Sequence, residues 1–106
     1  MVNEKLRKAL SNLCEEQGLE ESEQPIILDN MSYDNSIVGI TEDNRLVYDY
    51  NKMVEELMHD EGWSETDAIE WLDYNTLRAI PYMESHGRAP IILYDTVETI
   101  LEKYGD

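Results

Sequence analysis

The sequence is poor in positive charge, and this scarcity disfavours several functions. Only 8 Lys and Arg residues stand against 24 Asp and Glu residues in a chain of 106, which gives a formal net charge of −16. Nucleic-acid phosphates and anionic membrane surfaces are bound mainly through clustered Lys and Arg side chains. Direct binding to nucleic acid or to a membrane is therefore disfavoured. A basic protein surface would instead be attracted to this chain.

Cysteine and long apolar runs are also scarce. Cys14 is the only cysteine, so no disulfide can form within the chain, and this composition suits a reducing compartment. The longest apolar runs, such as PIIL, are far shorter than a membrane-spanning segment. The N-terminal stretch MVNEKLRKALSNL is amphipathic rather than continuously apolar. We therefore expect a soluble, cytoplasmic protein.

The usual signatures of catalysis and cofactor binding are missing. The sequence has no glycine-rich phosphate loop and no nucleophile elbow. Glu56 and His59 form one Glu-x-x-His pair, but a carboxylate-bridged two-metal site needs this pair twice. Cys14 falls on the apolar side of a predicted helix, where a free cysteine is usually a core residue. We predict no catalytic residue, no cofactor and no metal site, so a small hydrolase or metal enzyme is the least favoured function.

The residues that are present predict one α+β domain spanning 1–106. The segments SIVGI and RLVYDY flank the turn residues TEDN, which indicates a hairpin over 36–50. Apolar residues at helical spacing predict helices over 3–17, from Asn51 to Gly62, over 65–80, and after Asp95. The run PIIL occurs at 25–28 and again at 90–93, and we interpret both copies as inner strands. The expected fold is a small, mainly antiparallel sheet with the hairpin at its centre, packed against three or four helices. The alternative is a mostly helical domain in which only the hairpin is extended.

Arg78 is the candidate site residue that the sequence singles out. It is the only Lys or Arg between Met53 and Arg88, and helical spacing places it on one face with Trp71 and Tyr74. Its guanidinium could lie over Tyr74 or reach a carboxylate on the hairpin, with Asp49 as the first choice. We favour a structural clamp between Arg78 and Asp49, because buried arginines are tolerated only when paired and carboxylates are abundant here. The alternative is a functional contact with an anion.

Three stretches carry a resemblance to a known family. They are SYDNSIVG, LVYDY and DYNTLRAIPY. Together with their surroundings, roughly residues 25–94, they resemble a family of small acidic proteins of Firmicutes, some of which are encoded in or near mobile elements. That family has no established activity, so the resemblance implies one compact bacterial domain and assigns no functional residues.

These observations favour a non-catalytic protein-binding or regulatory module, and the charge of the chain favours a basic protein as its partner. The alternative is a DNA mimic that inhibits a restriction or CRISPR-type enzyme, and the high negative charge motivates it. A mimic needs its carboxylates arrayed along one face as phosphates are along DNA. An ordinary acidic protein scatters them.

Overall fold

Local capping signals determine where the first helix begins and ends. The computed structural model describes residues 2–105, and helix α1 spans Glu4–Gln17. The Asn3 side chain accepts a hydrogen bond from the Leu6 N–H at 3.0 Å, which satisfies a donor that the helix itself cannot pair. Gly18 ends the helix with φ of 62°, a backbone conformation that glycine adopts without steric cost.

The next two α-helices also begin at capping side chains. Helix α2 spans Tyr50–Glu61 and is capped by Asp49, not by Asn51 as the sequence pattern suggested. Helix α3 spans Glu65–Trp71, and the Ser64 hydroxyl accepts a hydrogen bond from a backbone N–H in its first turn.

The helix predicted over 65–80 is not continuous. Helix α3 stops at Trp71 and is followed by a π turn over Leu72–Thr76 and a 3₁₀ segment over Leu77–Tyr82. A π turn holds five residues, so it rotates the side chains after it relative to an unbroken α-helix. The predicted end at residue 80 is passed as well, because the 3₁₀ segment continues through Pro81 to Tyr82.

The sheet has three strands in the order β1-β2-β3. β1 (Ile37–Ile40) and β2 (Leu46–Asp49) form the antiparallel hairpin that the sequence predicted. β3 (Ile91–Leu93) pairs with the other edge of β2 and runs parallel to it. Parallel strands need a long crossover, and the segment carrying α2 and α3 provides it. The α+β class is therefore confirmed, with a sheet that is mixed in strand direction.

The two PIIL runs do not behave alike. The second run supplies β3, whereas the first contributes only an isolated bridge between Pro25 and Arg88. The Leu28 N–H of the first run donates to the Tyr48 hydroxyl at 3.0 Å instead of joining a strand. The interpretation of both runs as inner strands is therefore wrong, and β3 itself is an edge strand on which Ile91 is exposed.

One hydrophobic cluster joins the helices to the central strand. Strand β2 contributes Leu46 and Tyr48, which are both fully buried. The buried members of this cluster are Leu10, Leu28, Tyr33, Leu46, Tyr48, Met53, Val54, Leu57, Ala68 and Leu72. The last helix, α4 (Val97–Tyr104), is capped by Thr96 and contributes no buried residue.

Candidate functional site

A groove of about 880 Å³ opens along α3 and the π turn. It is lined by Trp63, Asp67, Ile69, Glu70, Trp71, Asp73, Tyr74, Asn75 and Arg78. Its volume lies in the range of typical ligand-binding clefts in proteins.

The π turn determines which side chains face this groove. Leu72 and Thr76 are both buried, whereas the three residues between them are exposed. Thr76 shares a hydrogen bond of 2.9 Å with the Tyr33 hydroxyl, and the amide of Asn30 donates to its oxygen at 3.1 Å. These partners, more than forty residues away in sequence, hold the turn against the core. π turns in helices are frequent at functional sites.

Aromatic rings form the apolar part of the groove. The ring centroids of Trp63 and Trp71 lie 5.6 Å apart at an interplanar angle of 59°, a tilted arrangement that aromatic pairs favour. The Arg78 guanidinium lies 4.7 Å from the centroid of the Tyr74 ring, in cation–π geometry. Tyr74 itself is 68% exposed, so most of this ring is available to a partner.

The charged side chains of the groove are mainly acidic. Asp67, Glu70 and Asp73 contribute three carboxylates against the single cation of Arg78. Asp73 also accepts a hydrogen bond from the Tyr50 hydroxyl at 3.0 Å. Burial and the Asp73 carboxylate together raise the pKa of Tyr50 to about 12, so this phenol stays a neutral donor.

Three of the four candidate residues predicted from the sequence meet in this groove. Trp71, Tyr74 and Arg78 line it together, and Arg78 lies over Tyr74, which was one of its two predicted positions. Asp49 is elsewhere. Its buried carboxylate caps α2 by accepting a hydrogen bond from the Lys52 N–H at 3.2 Å.

The predicted clamp between Arg78 and Asp49 is therefore wrong. Within residues 2–105, Arg78 makes no ion pair, and its side chain is exposed. The physical reason is that Asp49 is committed to the α2 N-terminus, where a carboxylate satisfies free N–H groups and complements the helix dipole. This leaves the guanidinium of Arg78 at the surface of the groove.

A different pair provides a buried clamp. The Arg7 guanidinium donates two hydrogen bonds to Asp34, from Nε to Oδ2 at 2.8 Å and from Nη2 to Oδ1 at 3.0 Å. The Asn3 N–H donates to the same carboxylate at 2.8 Å. Only 1% of the Asp34 side chain is exposed, so this fork ties the start of α1 to the segment preceding β1.

The sequence interpretation missed six members of the groove. They are Trp63, Asp67, Ile69, Glu70, Asp73 and Asn75. Trp63 could have been found from the sequence. It directly precedes Ser64, the cap of the helix that carries Trp71, so the two tryptophans are expected near the same helix. Nothing in the sequence distinguished the three carboxylates of the groove, because acidic residues are common throughout the chain.

Of the remaining candidates for chemistry, Glu56 and His59 line one surface pocket on α2, whereas Cys14 lies on α1. His59 Nδ1 lies 3.0 Å from the carboxylate of Asp60, and Glu56 accepts a hydrogen bond from the Ser36 hydroxyl at 2.6 Å. Cys14 is half-buried on α1. Across the described part of the chain, no three His, Cys, Asp or Glu side chains converge as metal ligands would. That the protein holds no specific metal stays a prediction.

Comparisons with known proteins add no assignment to this geometry. No protein-family model, no curated protein and no solved structure matches the chain. Among residues 2–105, no helix has the length and apolar character needed to cross a membrane.

Proposed function

We propose that this protein is a non-catalytic binding module that holds a basic segment of another protein in the groove along α3. The observation that supports this function is the composition of the groove, in which three aromatic rings stand beside three carboxylates. Tryptophan, tyrosine and arginine are the side chains that contribute most often to the binding energy of protein interfaces. The groove contains all three.

Charge selects the kind of partner. A Lys or Arg side chain entering the groove meets Asp67, Glu70 and Asp73, and it can also lie on an indole or phenol face. The net charge of −16 extends the attraction beyond the groove and speeds encounters with basic proteins. Binding should therefore weaken as salt is added.

Arg78 has a separate role in the proposed complex. Its guanidinium is held over Tyr74 and has no ion-pair partner in the described residues, so its N–H donors are free for a partner's backbone carbonyl or carboxylate. One donor among several acceptors would fix the direction in which the segment lies. The alternative prediction for Arg78, a functional contact with an anion, therefore becomes part of this proposed protein interface.

The cellular setting belongs to the same proposal. The single cysteine fits a reducing compartment, and the resemblance of residues 25–94 to small acidic Firmicutes proteins, some near mobile elements, fits a bacterial one. We place the module in the bacterial cytoplasm.

Tryptophan fluorescence offers a direct test. Trp63 and Trp71 are the only two tryptophans of the chain and both line the groove, so their emission reports its occupancy. Short peptides with Lys and Arg between apolar residues would be titrated, with Glu-containing peptides of matched length as controls. We expect a saturable change in emission with the basic peptides only.

Matched variants locate the contact. Tyr74→Ala should weaken binding about fivefold or more, because truncating a central aromatic typically costs more than about 1 kcal/mol. Glu70→Gln should weaken it and reduce its salt dependence. Tyr82→Ala is the control, because Tyr82 is 81% exposed and lies outside the groove.

Two results would contradict this function. In the first, basic peptides bind equally well to wild type and to the Tyr74→Ala and Glu70→Gln variants, which would mean that the general acidity of the surface explains the binding. In the second, the protein captures a DNA-binding enzyme, duplex DNA displaces it, and the groove variants leave the complex unchanged. That outcome would favour the DNA-mimic alternative.

A further inference from the structure

One carboxylate of the groove is held by a residue from a different element of the fold. The Tyr50 hydroxyl donates a hydrogen bond of 3.0 Å to Oδ1 of Asp73. Tyr50 is the first residue of α2, whereas Asp73 lies in the π turn, 23 positions further along the chain. Asp73 lines the groove and Tyr50 does not. A residue outside the groove therefore restrains one of the charges inside it.

Tyr50 is a rigid support for this hydrogen bond. Its backbone begins α2 directly after the capping residue Asp49, and its ring packs against the hydrophobic cluster of the fold. The ring of Tyr94 lies against the ring of Tyr50, with 4.8 Å between the centroids and an interplanar angle of 34°. A side chain that is packed in this way keeps few rotamers, so its hydroxyl is presented at one place. The carboxylate of Asp73 is restrained to the direction that meets this hydroxyl.

The hydroxyl restrains the carboxylate of Asp73 without cancelling its charge. Burial and the hydrogen bond to Asp73 raise the pKa of Tyr50 to about 12, so the phenol stays protonated and neutral at physiological pH. Within residues 2–105 no Lys, Arg or His side chain forms an ion pair with Asp73. Asp34 differs, because its charge is met by the Arg7 guanidinium. The exposed carboxylate of Asp73 therefore has a fixed direction and an unbalanced negative charge.

We propose that Tyr50 is a positioning residue that makes the groove select arginine over lysine in the basic segment of its partner. This selection rests on the binding function proposed above and specifies the chemistry of the ligand. Arginine carries five N–H donors in a rigid planar fork, so it gains most from an acceptor whose direction is fixed. Lysine carries a compact ammonium group with rotatable donors, so it gains little from that fixed direction.

The aromatic rings of the groove favour the same ligand. A guanidinium can lie flat on an indole or phenol ring while its edge donates to a carboxylate, whereas an ammonium group is compact and strongly hydrated. The groove already contains one guanidinium in such a position, that of Arg78 over the Tyr74 ring. The Tyr50 hydroxyl occupies one of about four acceptor positions on the Asp73 carboxylate, so the remaining positions are free for a ligand. An arginine side chain uses the rings and the restrained carboxylate together.

A pair of peptides tests the selection. The two short peptides have the same apolar flanks and differ only in their central residue, arginine or lysine. Each peptide is titrated into the protein while the emission of the two groove tryptophans is followed. The wild type should bind the arginine peptide about three- to tenfold more tightly, the equilibrium equivalent of about one net hydrogen bond.

Matched variants assign the preference to the hydroxyl. Tyr50→Phe removes one oxygen and keeps the ring that packs against Tyr94, so the ratio of the two affinities should fall towards one. Tyr94→Phe is the control, because it removes the hydroxyl from the other, more exposed ring of the same stacked pair. This control should keep the preference of the wild type. Circular dichroism and thermal unfolding check that both variants keep the fold.

The salt dependence of binding separates positioning from charge. Tyr50→Phe leaves the net charge unchanged, so its affinity for the arginine peptide should decrease with salt as steeply as that of the wild type. Asp73→Asn removes a carboxylate, so both the arginine preference and the salt dependence should decrease. When Asp73→Asn is already present, Tyr50→Phe should cause no further loss of preference, because the carboxylate that it positions is absent.

The possible failures distinguish the role of Tyr50 from the proposed function. If the wild type binds both peptides equally and Tyr74→Ala weakens both, the arginine selection is overturned and the groove remains the binding site. A preference that persists in Tyr50→Phe, or that Tyr94→Phe lowers to the same extent, overturns the positioning role of the hydroxyl. If neither peptide binds, or if Tyr74→Ala changes neither affinity, the proposed function is wrong and the selection by Tyr50 is wrong with it.

Discussion

The buried fork between Arg7 and Asp34 allows the sharpest stability prediction. Its carboxylate is almost fully enclosed, with 1% of the side chain exposed, whereas 32% of the Arg7 side chain is exposed. The test uses the variants Arg7→Gln and Asp34→Asn, each alone and both combined. Asp34→Asn keeps the shape of the side chain, Arg7→Gln keeps only its aliphatic stem, and both remove the charge.

The magnitude follows from what each variant leaves behind. Breaking a fully buried pair costs about 3–5 kcal/mol, because a charge stays without its partner. Water can reach this pair from the arginine side, so we expect about 2–3 kcal/mol for Arg7→Gln, which leaves Asp34 with the Asn3 N–H alone. Asp34→Asn should cost less, about 1–2 kcal/mol, because the freed guanidinium can be hydrated.

The pH dependence has a definite sign. Burial acts to raise the pKa of Asp34, but the hydrogen bonds from Arg7 and Asn3 and the Arg7 charge outweigh it and hold this pKa below its ordinary value of 3.8. A lowered folded-state pKa contributes stability that is present above the unfolded-state pKa and is lost as the pH falls through the folded-state pKa. The difference in unfolding free energy between wild type and Asp34→Asn should therefore be constant above about pH 5 and shrink below about pH 4.

Urea unfolding of the four proteins measures the coupling. The double variant should lose about 1–2 kcal/mol less than the sum of the single losses, because contacting residues are not additive. Lys8→Gln is the control for charge on the same helix, since Lys8 is exposed and next to Arg7. Additive losses, or a wild-type advantage that persists unchanged in acid, would refute the reasoning.

Three further predictions concern a buried phenol, the groove and the net charge. Tyr48→Phe should cost about 1–3 kcal/mol in urea unfolding, because it leaves the buried Leu28 N–H without its acceptor. Burial raises the pKa of Tyr48 to about 12, so its share of stability is present below pH 10, the ordinary phenol pKa, and is lost as the pH rises through 12. Arg78→Ala should cost less than about 1 kcal/mol, the range of an exposed cation–π contact, and a loss of several kcal/mol would revive the structural clamp. At low protein concentration, thermal midpoints should rise from low to moderate salt, because screening relieves repulsion in a chain of net charge −16. A falling midpoint would mean that attractive pairs dominate.

Features that depend on neighbouring residues could be predicted from the sequence. The hairpin was predicted from TEDN between two strand-forming runs, and Asn44 of that turn indeed has a positive φ of 66°. The ends of α1 and α2 at Gly18 and Gly62 and the start of α3 at Ser64 follow from residues within one helical turn of each boundary. The clustering of Trp71, Tyr74 and Arg78 was predicted for the same reason, since all three lie on one short helical segment.

Features that depend on distant contacts could not be predicted from the sequence. The π turn exists where the Thr76 hydroxyl meets Tyr33 and Asn30, and nothing within the helical segment indicates those partners. Arg78 and Arg7 were both possible members of a buried pair in a chain with 24 acids, and only the folded structure brings Arg7 to Asp34.

The repeated run PIIL separates the two kinds of information most clearly. The same four-residue run supplies an edge strand of three residues at one position and only an isolated bridge at the other. Apolar, β-branched residues determine that a segment will be extended and partly buried, because that preference is local. Whether an extended segment joins a sheet depends on a free strand edge beside it, and only the tertiary structure places β2 next to the second run.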